Sequence, residues 1–303
     1  MRRVLAAGFA LWSAATALPN PVESPAPAII DSNTLRAEPE PEPKPDPTLT
    51  DPLWLNYGLN ASAEYKYFHE PGRDDILGHY DSRFFKEPVG DSERAETLTH
   101  MIRAYLNFFN ENKLDTWIAH GTLLGWWWNG KILPWDWDMD TQVADTTLAY
   151  LGDHFNQTIV AYTVPESPII REYLLDINPW SRQRERGKGH NIIDARWIDI
   201  HTGLYIDITG LSRLELEHHP DIWQCKNFHK YRLIDLYPMR HTFFEGVPAK
   251  VPFAYDQVLR EEYSEKAMIT TEFHNHTWFP EIGEWVSDKN VADLTVKLEV
   301  DYE

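Results

Sequence analysis

Residues 117–143 read WIAHGTLLGWWWNGKILPWDWDMDTQV, and this stretch decides the fold prediction. Three consecutive tryptophans, Trp126 to Trp128, are followed by three aspartates at strict alternation. In a β-strand, alternate side chains lie on the same face. We therefore predict a strand within residues 131–143, with one face in a core and the other carrying carboxylates. The core set would be Trp135, Trp137 and Met139, and the carboxylate set would be Asp136, Asp138 and Asp140.

The three aspartates predict a binding site for a divalent cation. Neighbouring carboxylates repel one another and raise each other's pKa unless a cation lies among them. Mg²⁺ and Mn²⁺ prefer oxygen ligands of this kind and leave room for substrate phosphates. A calcium-binding loop is excluded, because its sixth position would be Thr141 instead of glycine and its twelfth Thr147 instead of glutamate. A solvated acidic edge is the other interpretation, and the flanking apolar residues disfavour it.

The turn before the tryptophans has the composition of a phosphate-binding turn. Gly121 lets a ligand approach the backbone, and Thr122 can cap the predicted helix 122–128, whose N-terminus favours an anion. Lys131 could reach a phosphate from the start of the strand, or could simply be a surface lysine there. At least one of the three tryptophans could stack on a base or a sugar.

Helices and strands alternate along the remaining chain. Helices are predicted at 93–112, at 145–155 with Asp145 as N-cap, and at 255–263. Besides a short strand at 114–119, a hairpin is predicted from 192–200 and 204–208, and a second begins at Phe243. This order lacks strict βαβ regularity, so we predict a single α+β (mixed α/β) domain.

The net negative charge argues against nucleic acid as a partner and means that an anionic substrate would have to be bound by local cations. The chain has 28 Lys and Arg against 47 Asp and Glu, a net charge of -19, so a general nucleic-acid binder is not expected. An anionic substrate would need local cations. A loop at 181–190 offers them, although charge runs are often only solvated surface. The candidate phosphate-binding cations of this loop are Arg182, Arg184, Arg186 and Lys188.

A second group of metal-ligating residue types follows further along the chain. His218, His219, Cys225 and His229 lie close together in sequence. Their spacing matches no standard zinc site, so a chance cluster is the favoured interpretation. Cys225 is the single cysteine, so no intrachain disulfide can form.

The ends of the chain predict a protein of the secretory pathway. Residues 1–18 have the pattern of a signal peptide or short signal anchor, and 19–52 form a Pro/Glu-rich stalk. An extension at 53–92, a catalytic domain at 93–290 and a tail at 291–303 complete the predicted organisation. The expected location is the Golgi lumen, with the protein anchored as a type II membrane protein or secreted. Three glycosylation sequons agree with this, at Asn60, Asn156 and Asn275.

Several motifs resemble the LicD family of the nucleotidyltransferase-fold superfamily. Residues 121–125, GTLLG, and 132–140, ILPWDWDMD, are similar to the family's turn and acidic strand, with Leu133 inserted. Residues 205–211, YIDITGL, are similar to a later strand but lack its proline. Residues 244–252, FEGVPAKVP, with the helix at 255–263, are similar to a third element. The likeness covers about residues 117–263 in order and is strongest to the fungal branch associated with mannosylphosphorylation, with the fukutin-type transferases as relatives.

The resemblance implies a nucleotidyltransferase-like mixed sheet with flanking helices and a metal-dependent transfer reaction. Mannose-1-phosphate would pass from GDP-mannose, the favoured donor, to a glycan hydroxyl of cell-wall mannan or protein-linked glycan, and nucleoside monophosphate would leave. Asp138, Asp140 and Asp207 would be catalytic and hold Mn²⁺ or Mg²⁺, with Asp136 in a less direct role; a turn-supporting aspartate is the other interpretation of Asp207. Two alternatives stay open: an accessory protein that supports a partner glycosyltransferase, or a DxD glycosyltransferase that moves sugar without phosphate.

Overall fold

The computed structural model describes residues 65–186, 189–213 and 221–291. The predicted signal segment, the stalk and the sequon at Asn60 lie outside these ranges, as do Lys188, His218 and His219. No helix within the described ranges combines the length and the apolar character needed to cross a bilayer.

The helices form where apolar side chains recur at three- and four-residue spacing. In the described ranges they are α1 (Asp91–Glu111), α2 (His120–Asn129), α3 (Asp145–His154), α4 (Leu233–Leu236) and α5 (Tyr255–Tyr263). All four helices predicted from the sequence are present. Asp145, predicted as an N-cap, is the first helical residue of α3 instead, and Ala144 occupies the cap position.

The strands are mostly short, and several were not predicted. They are β1 (Trp117–Ala119), β2 (Met139–Ala144), β3 (Thr158–Thr163), β4 (Ile170–Ile177), β5 (Ala195–Asp199), β6 (Tyr205–Arg213), β7 (Ile222–Gln224), β8 (Lys230–Arg232), β9 (Arg240–Phe244), β10 (Val247–Val251), β11 (Glu272–Phe273), β12 (His276–Phe279) and β13 (Glu284–Ser287). Both predicted hairpins are confirmed, as β5–β6 and β9–β10.

One mixed sheet organises the described part of the chain. Its strand order is β1-β2-β6-β5-β4-β3, and β7 and β8 extend it beside the end of β6. β2 and β6 pair in parallel, whereas β1, β5, β4 and β3 join their neighbours antiparallel. The mixed sheet with flanking helices confirms the α+β prediction.

The core lies between the helices and the inner face of this sheet. α1 buries the periodic residues that predicted it, including Leu98, Met101 and Tyr105. Trp126 is fully buried and donates Nε1–H to Thr242 Oγ1 at 2.9 Å, while Trp128 packs against Trp278 and Trp285. Two of the three consecutive tryptophans are therefore core residues.

The acidic stretch differs from its prediction in one respect. β2 begins at Met139, so Asp136 and Asp138 precede the strand instead of lying within it. A turn closed by the bond from Asp136 N–H to Leu133 C=O, 2.9 Å, delays the strand start. Pro134 contributes to this, since it has no N–H to donate to a sheet.

The described part of the predicted extension, residues 65–90, packs against the outer face of the sheet. Phe68 is buried there beside the Arg196 guanidinium, whereas Tyr80 is buried in the main core. Asp81 N–H donates to Gly203 C=O at 2.7 Å, and Tyr80 forms a bridge with Leu204. This segment therefore covers the sheet face that carries the polar residues of β5 and β6.

Two of the predicted glycosylation sites are described. Asn275 is exposed at the tip of the β11–β12 hairpin. Asn156 is half-buried, and its Oδ1 accepts the N–H of Ile177 at 3.0 Å. Glycosylation at either residue stays a prediction.

Candidate active site

The centre of the candidate site is a pair of aspartates on neighbouring strands. Asp140 of β2 and Asp207 of β6 are directly opposite each other in the parallel register. Asp140 is fixed by its backbone, whose N–H donates to Thr122 Oγ1 at 2.8 Å. The Thr122 hydroxyl thus holds β2 against α2. The prediction that Thr122 caps the helix is wrong, since Ala119 occupies the cap position.

The aspartate pair belongs to a line of charged residues across four strands. In register order it runs Asp140, Asp207, Arg196 and Asp176, on β2, β6, β5 and β4; we call this line the ionic row. Directly opposite residues in a sheet lie on the same face. Arg196 is buried and donates Nε–H to Asp207 Oδ1 at 2.8 Å, so the row alternates in charge after its first two members.

The segment 65–90 adds further partners to the ionic row. Arg196 also pairs with Glu70 at 2.7 Å, and its guanidinium lies 3.7 Å from the centre of the Tyr205 ring. Arg83 donates to Asp176 Oδ2 at 2.6 Å. These contacts fix the orientation of Arg196, and through it the orientation of the Asp207 carboxylate.

Burial and mutual repulsion raise the pKa values of three site aspartates. Burial raises the pKa of Asp140 well above its usual range, and the charges of Asp138, Asp207, Asp136 and Glu262 raise it further. Burial, then the charge of Asp138, raises the pKa of Asp136 to about 7. Burial also raises the pKa of Asp207, although Arg196 opposes the shift. The site therefore concentrates negative charge with insufficient cationic compensation from its own side chains.

The two aspartates before β2 reach the same site from the preceding loop. Asp136 lies against the turn at Gly121, where an added Cβ would come within 3.0 Å of Asp136 Oδ2. The charge of Arg94 also acts on Asp136. Asp138 Oδ2 lies 3.8 Å from His79 Nε2. The structure thus brings Asp136, Asp138, Asp140 and Asp207 into one site. Their roles in catalysis and cation binding stay a prediction.

This donor set fits a hard divalent cation. It offers carboxylate oxygens from four residues, which Mg²⁺ and Mn²⁺ prefer. A cation here would offset the repulsion that raises the pKa values of these aspartates. The chemistry of the residues present is therefore compatible with the predicted Mn²⁺ or Mg²⁺.

A cavity of ≈ 390 Å³ opens beside Asp207. It is lined by residues of both signs of charge and by amide and aromatic side chains, among them Lys66, Glu70, Asn191, Arg196, Tyr205 and Asp207. Lys66 and Arg196 lie at its walls; both pair with Glu70, and Arg196 also pairs with Asp207.

The cations predicted to bind phosphate have partners elsewhere. Lys131 pairs with Glu284 on β13. Arg182 pairs with Asp153, and Arg184 donates to Asp194 Oδ1 at 2.9 Å and to the C=O of Ser181 at 2.7 Å. The Arg186 guanidinium lies 5.0 Å from the centre of the Phe228 ring. In this structure the four cations make these contacts and are not brought to the carboxylates.

Sequence reasoning missed several residues that the structure places near the carboxylates. They come from distant parts of the chain: Lys66, His79, Arg196 and Tyr263. Tyr263 is the last residue of α5, and the charges of Glu262, Asp140, Asp136 and Asp138 all act on it. Of these four residues, Arg196 alone could have been identified from the sequence, since an arginine within the predicted apolar strand 192–200 needs a buried partner.

The raised pKa values predict how stability depends on pH in the metal-free protein. In the folded chain Asp136 has a pKa of about 7, whereas the unfolded value is about 3.9. Between these values the folded state binds a proton that the unfolded state has released, so the stabilisation present at low pH is lost as pH rises through about 7. Urea unfolding in EDTA at about pH 5 and about pH 8 measures this slope.

The variant Asp136→Asn isolates the contribution of this one group. Its stability relative to the wild type should rise as pH increases from about 5 to about 8, because the variant lacks the part of the stabilisation that Asp136 loses in the wild type over this range. A difference that is constant with pH would contradict the assignment.

Comparison with known proteins places most of these elements in one family. Residues 113–254 match the model of the family described as LicD/FKTN/FKRP, nucleotidyltransferase domain. Two curated proteins of Saccharomyces cerevisiae are each 38% identical to part of the chain: Mannosyltransferase regulator 4 over 160 residues and Mannosyltransferase regulator 14 over 163 residues. Each match takes in 50% of this chain but only 13% and 17% of the respective relative. The chain therefore spans less than a fifth of the length of these relatives.

Proposed function

Residues 113–254 make this chain a member of the LicD family, as its motifs predicted, and we propose that it transfers a phosphorylated sugar to a glycan hydroxyl. The favoured reaction moves mannose-1-phosphate from GDP-mannose to cell-wall mannan or to protein-linked glycan in the Golgi lumen. Nucleoside monophosphate is the leaving group. The single observation that carries the proposal is the pairing of Asp140 with Asp207 in the sheet, with Asp136 and Asp138 beside them.

Four aspartates would bind the cation, and Arg196 would orient the Asp207 carboxylate. Asp138, Asp140 and Asp207 would hold Mn²⁺ or Mg²⁺, with Asp136 in support. When bound, the ion would supply positive charge that stabilises the phosphoryl group in the transition state. Arg196 holds Asp207 through Oδ1. The other carboxylate oxygen of Asp207 would then be available to the cation or to the proton of the acceptor hydroxyl.

The turn at the start of α2 would orient the donor. The backbone N–H groups of Gly121 and Thr122 lie in the first turn of a ten-residue helix, where a phosphate is favoured. Gly121 also lies against Asp136, so a phosphate at this turn would be next to the carboxylates. The cavity beside Asp207 would take the remaining parts of donor or acceptor.

A direct transfer assay tests the proposal. The protein would be incubated with GDP-mannose radiolabelled on the β-phosphate, a mannose oligosaccharide and Mn²⁺. Label on the oligosaccharide, lost with EDTA, is the expected result. Mannose transferred without the labelled phosphate would indicate a DxD glycosyltransferase and refute the proposal.

An accessory role is the second candidate, and the names of the yeast relatives favour it. Both relatives are called mannosyltransferase regulators. An accessory protein of this fold would bind donor or glycan and support a separate mannosylphosphate transferase. Measurable binding of GDP-mannose with no transfer, together with stimulation of an added transferase, would favour this role over catalysis.

The cavity makes a prediction that separates two lysines. Lys66→Ala should raise the KM for the donor by about tenfold, since one lost charge-assisted contact is worth about 1.5 kcal/mol. Lys131→Ala is the matched control. Each lysine pairs with a glutamate, Lys66 with Glu70 and Lys131 with Glu284, but of the two Lys66 alone lines the cavity. Initial rates over a range of GDP-mannose concentrations give both values. An equal effect of the two substitutions would contradict the position assigned to the donor.

A further inference from the structure

Three metal-ligating side chains from separate parts of the chain meet beside the carboxylate site. His120 is the first residue of α2, His229 directly precedes β8, and Glu262 lies near the end of α5. One nitrogen of each imidazole and one oxygen of the carboxylate lie within 4.8 Å of one another. The two imidazole rings are 4.5 Å apart between centres.

His120 is held in place on both sides of its ring. Its Nδ1 contacts the Glu262 carboxylate, and its Nε2 lies 3.4 Å from the side-chain nitrogen of Gln142. The His120 backbone has a φ of 52°, in the left-handed region that is unfavourable for a non-glycine residue. The surrounding structure therefore maintains a strained residue at this position.

His229 is positioned by a tight turn between β7 and β8. Cys225 N–H donates to His229 C=O at 3.1 Å and closes this turn. Cys225 Sγ lies 3.4 Å from His229 Nδ1, which leaves Nε2 as the nitrogen without a contact to the thiol.

The local charge also favours a cation. Glu262 acts on Asp140 as a like charge and contributes to the raised pKa of that aspartate. The His120 and Glu262 side chains are only 11% and 20% exposed, so water screens this repulsion poorly. A cation between Glu262 and the two histidines would offset it.

We propose that His120, His229 and Glu262 bind a zinc ion, at a site separate from the carboxylates that would hold Mn²⁺ or Mg²⁺. Two imidazoles and one glutamate form a ligand set that zinc takes in proteins, with a fourth position for water. Imidazole suits zinc, whereas all-carboxylate sites suit Mg²⁺ and Mn²⁺. Tetrahedral zinc places its ligand atoms about 3.3 Å apart. Side-chain rotations would have to separate His120 Nδ1 from the Glu262 carboxylate, which are in contact here, and bring His229 closer to both. The ion would join α2, α5 and the β7–β8 turn.

A hydrogen-bonded pair is the competing explanation for the same geometry. In that arrangement His120 Nδ1–H donates to Glu262, and Nε2 accepts from the Gln142 amide, whose Oε1 is held by Trp117 Nε1–H at 3.1 Å. Zinc at Nδ1 would displace the proton and require the amide of Gln142 to adjust. The two explanations therefore differ in whether the folded protein retains zinc.

Metal analysis of the untagged full chain tests the proposal without any assay of activity. After dialysis against buffer containing Mg²⁺, the protein should retain about one zinc per chain by mass spectrometry of the metal. Replacement by Co²⁺ should give the visible absorption of a tetrahedral site with nitrogen ligands. Retention of no zinc, or cobalt spectra of a fully hydrated ion, would overturn the proposal.

Matched variants identify the ligands. His229→Ala and Glu262→Gln should each weaken zinc binding by at least about tenfold, while His201→Ala, an exposed histidine in the β5–β6 turn, should not change it. Circular dichroism checks that each variant is folded. If a variant does not fold, the cobalt spectrum of the wild type decides whether the metal site exists. Zinc content that is unchanged in His229→Ala and Glu262→Gln would show adventitious binding and refute the site.

Discussion

Replacing Asp140 by asparagine is expected to abolish transfer and, in the absence of metal, to stabilise the protein. Asp140 is surrounded by the charges of four other carboxylates, and burial adds to the cost of its ionised form. Asparagine has the same shape without the charge, so the repulsion is removed. The same change removes a cation ligand, and we expect transfer to fall by at least about 10²-fold.

Both the loss of transfer and the gain in stability can be measured on the same samples of wild type and variant. Thermal unfolding in EDTA should give a higher Tm for Asp140→Asn than for the wild type. Added Mn²⁺ should raise the Tm of the wild type and leave that of the variant nearly unchanged. Asp153→Asn is the control, since Asp153 pairs with Arg182 away from the site. Transfer retained at the wild-type rate in Asp140→Asn would refute the assignment of this aspartate.

The second large effect is expected at Arg196, and it concerns stability. Arg196 is buried and pairs with Asp207 at 2.8 Å and with Glu70 at 2.7 Å. Arg196→Leu would leave the Asp207 carboxylate buried without its partner. Removing one member of a buried pair costs about 3–5 kcal/mol, because the remaining charge stays in a medium of low dielectric constant.

Urea unfolding of three variants distinguishes this explanation from a loss of packing. The double variant Arg196→Leu with Asp207→Asn should recover part of the lost free energy of unfolding, because no unpaired carboxylate remains on β6. Arg232→Leu breaks an exposed pair with Asp235 and should lower the free energy of unfolding far less than Arg196→Leu does, because solvent screens the exposed pair. If the double variant is no more stable than Arg196→Leu alone, packing and not charge explains the loss.

Much of the local structure could be predicted because it depends on neighbouring residues. The spacing of Leu98, Met101 and Tyr105 predicts α1, and its ends lie within two residues of the prediction. The hairpin β9–β10 follows from Glu245 and Gly246, whose φ values of 48° and 78° form the turn. The strands β3 and β4 were not predicted, although Pro165 and Pro168 mark a turn between them.

In the candidate site, too, the residues close together in sequence could be predicted and the contacts between distant residues could not. Asp136, Asp138 and Asp140 lie within five residues, so their alternation predicts a carboxylate cluster without knowledge of the fold. The cations that would bind phosphate could not be predicted from local sequence in this way. Arg184 is part of a run of positive charge in the sequence, but in the structure it pairs with Asp194 inside the protein. A charge run does not state which acids the fold brings near it.

Local patterns in the sequence predict four of the helices, both hairpins and the acidic motif, and the motifs at 121–125 and 244–252 predict the family. Contacts between distant side chains could be read only from the folded chain: Asp140 with Asp207, Arg196 with Glu70, and His120 with His229 and Glu262. The difference arises from the distance along the chain over which each interaction acts. Periodicity and turn chemistry act between residues a few positions apart. An ion pair or a metal site depends on strand order and register, which bring residues together only once the whole sheet has formed.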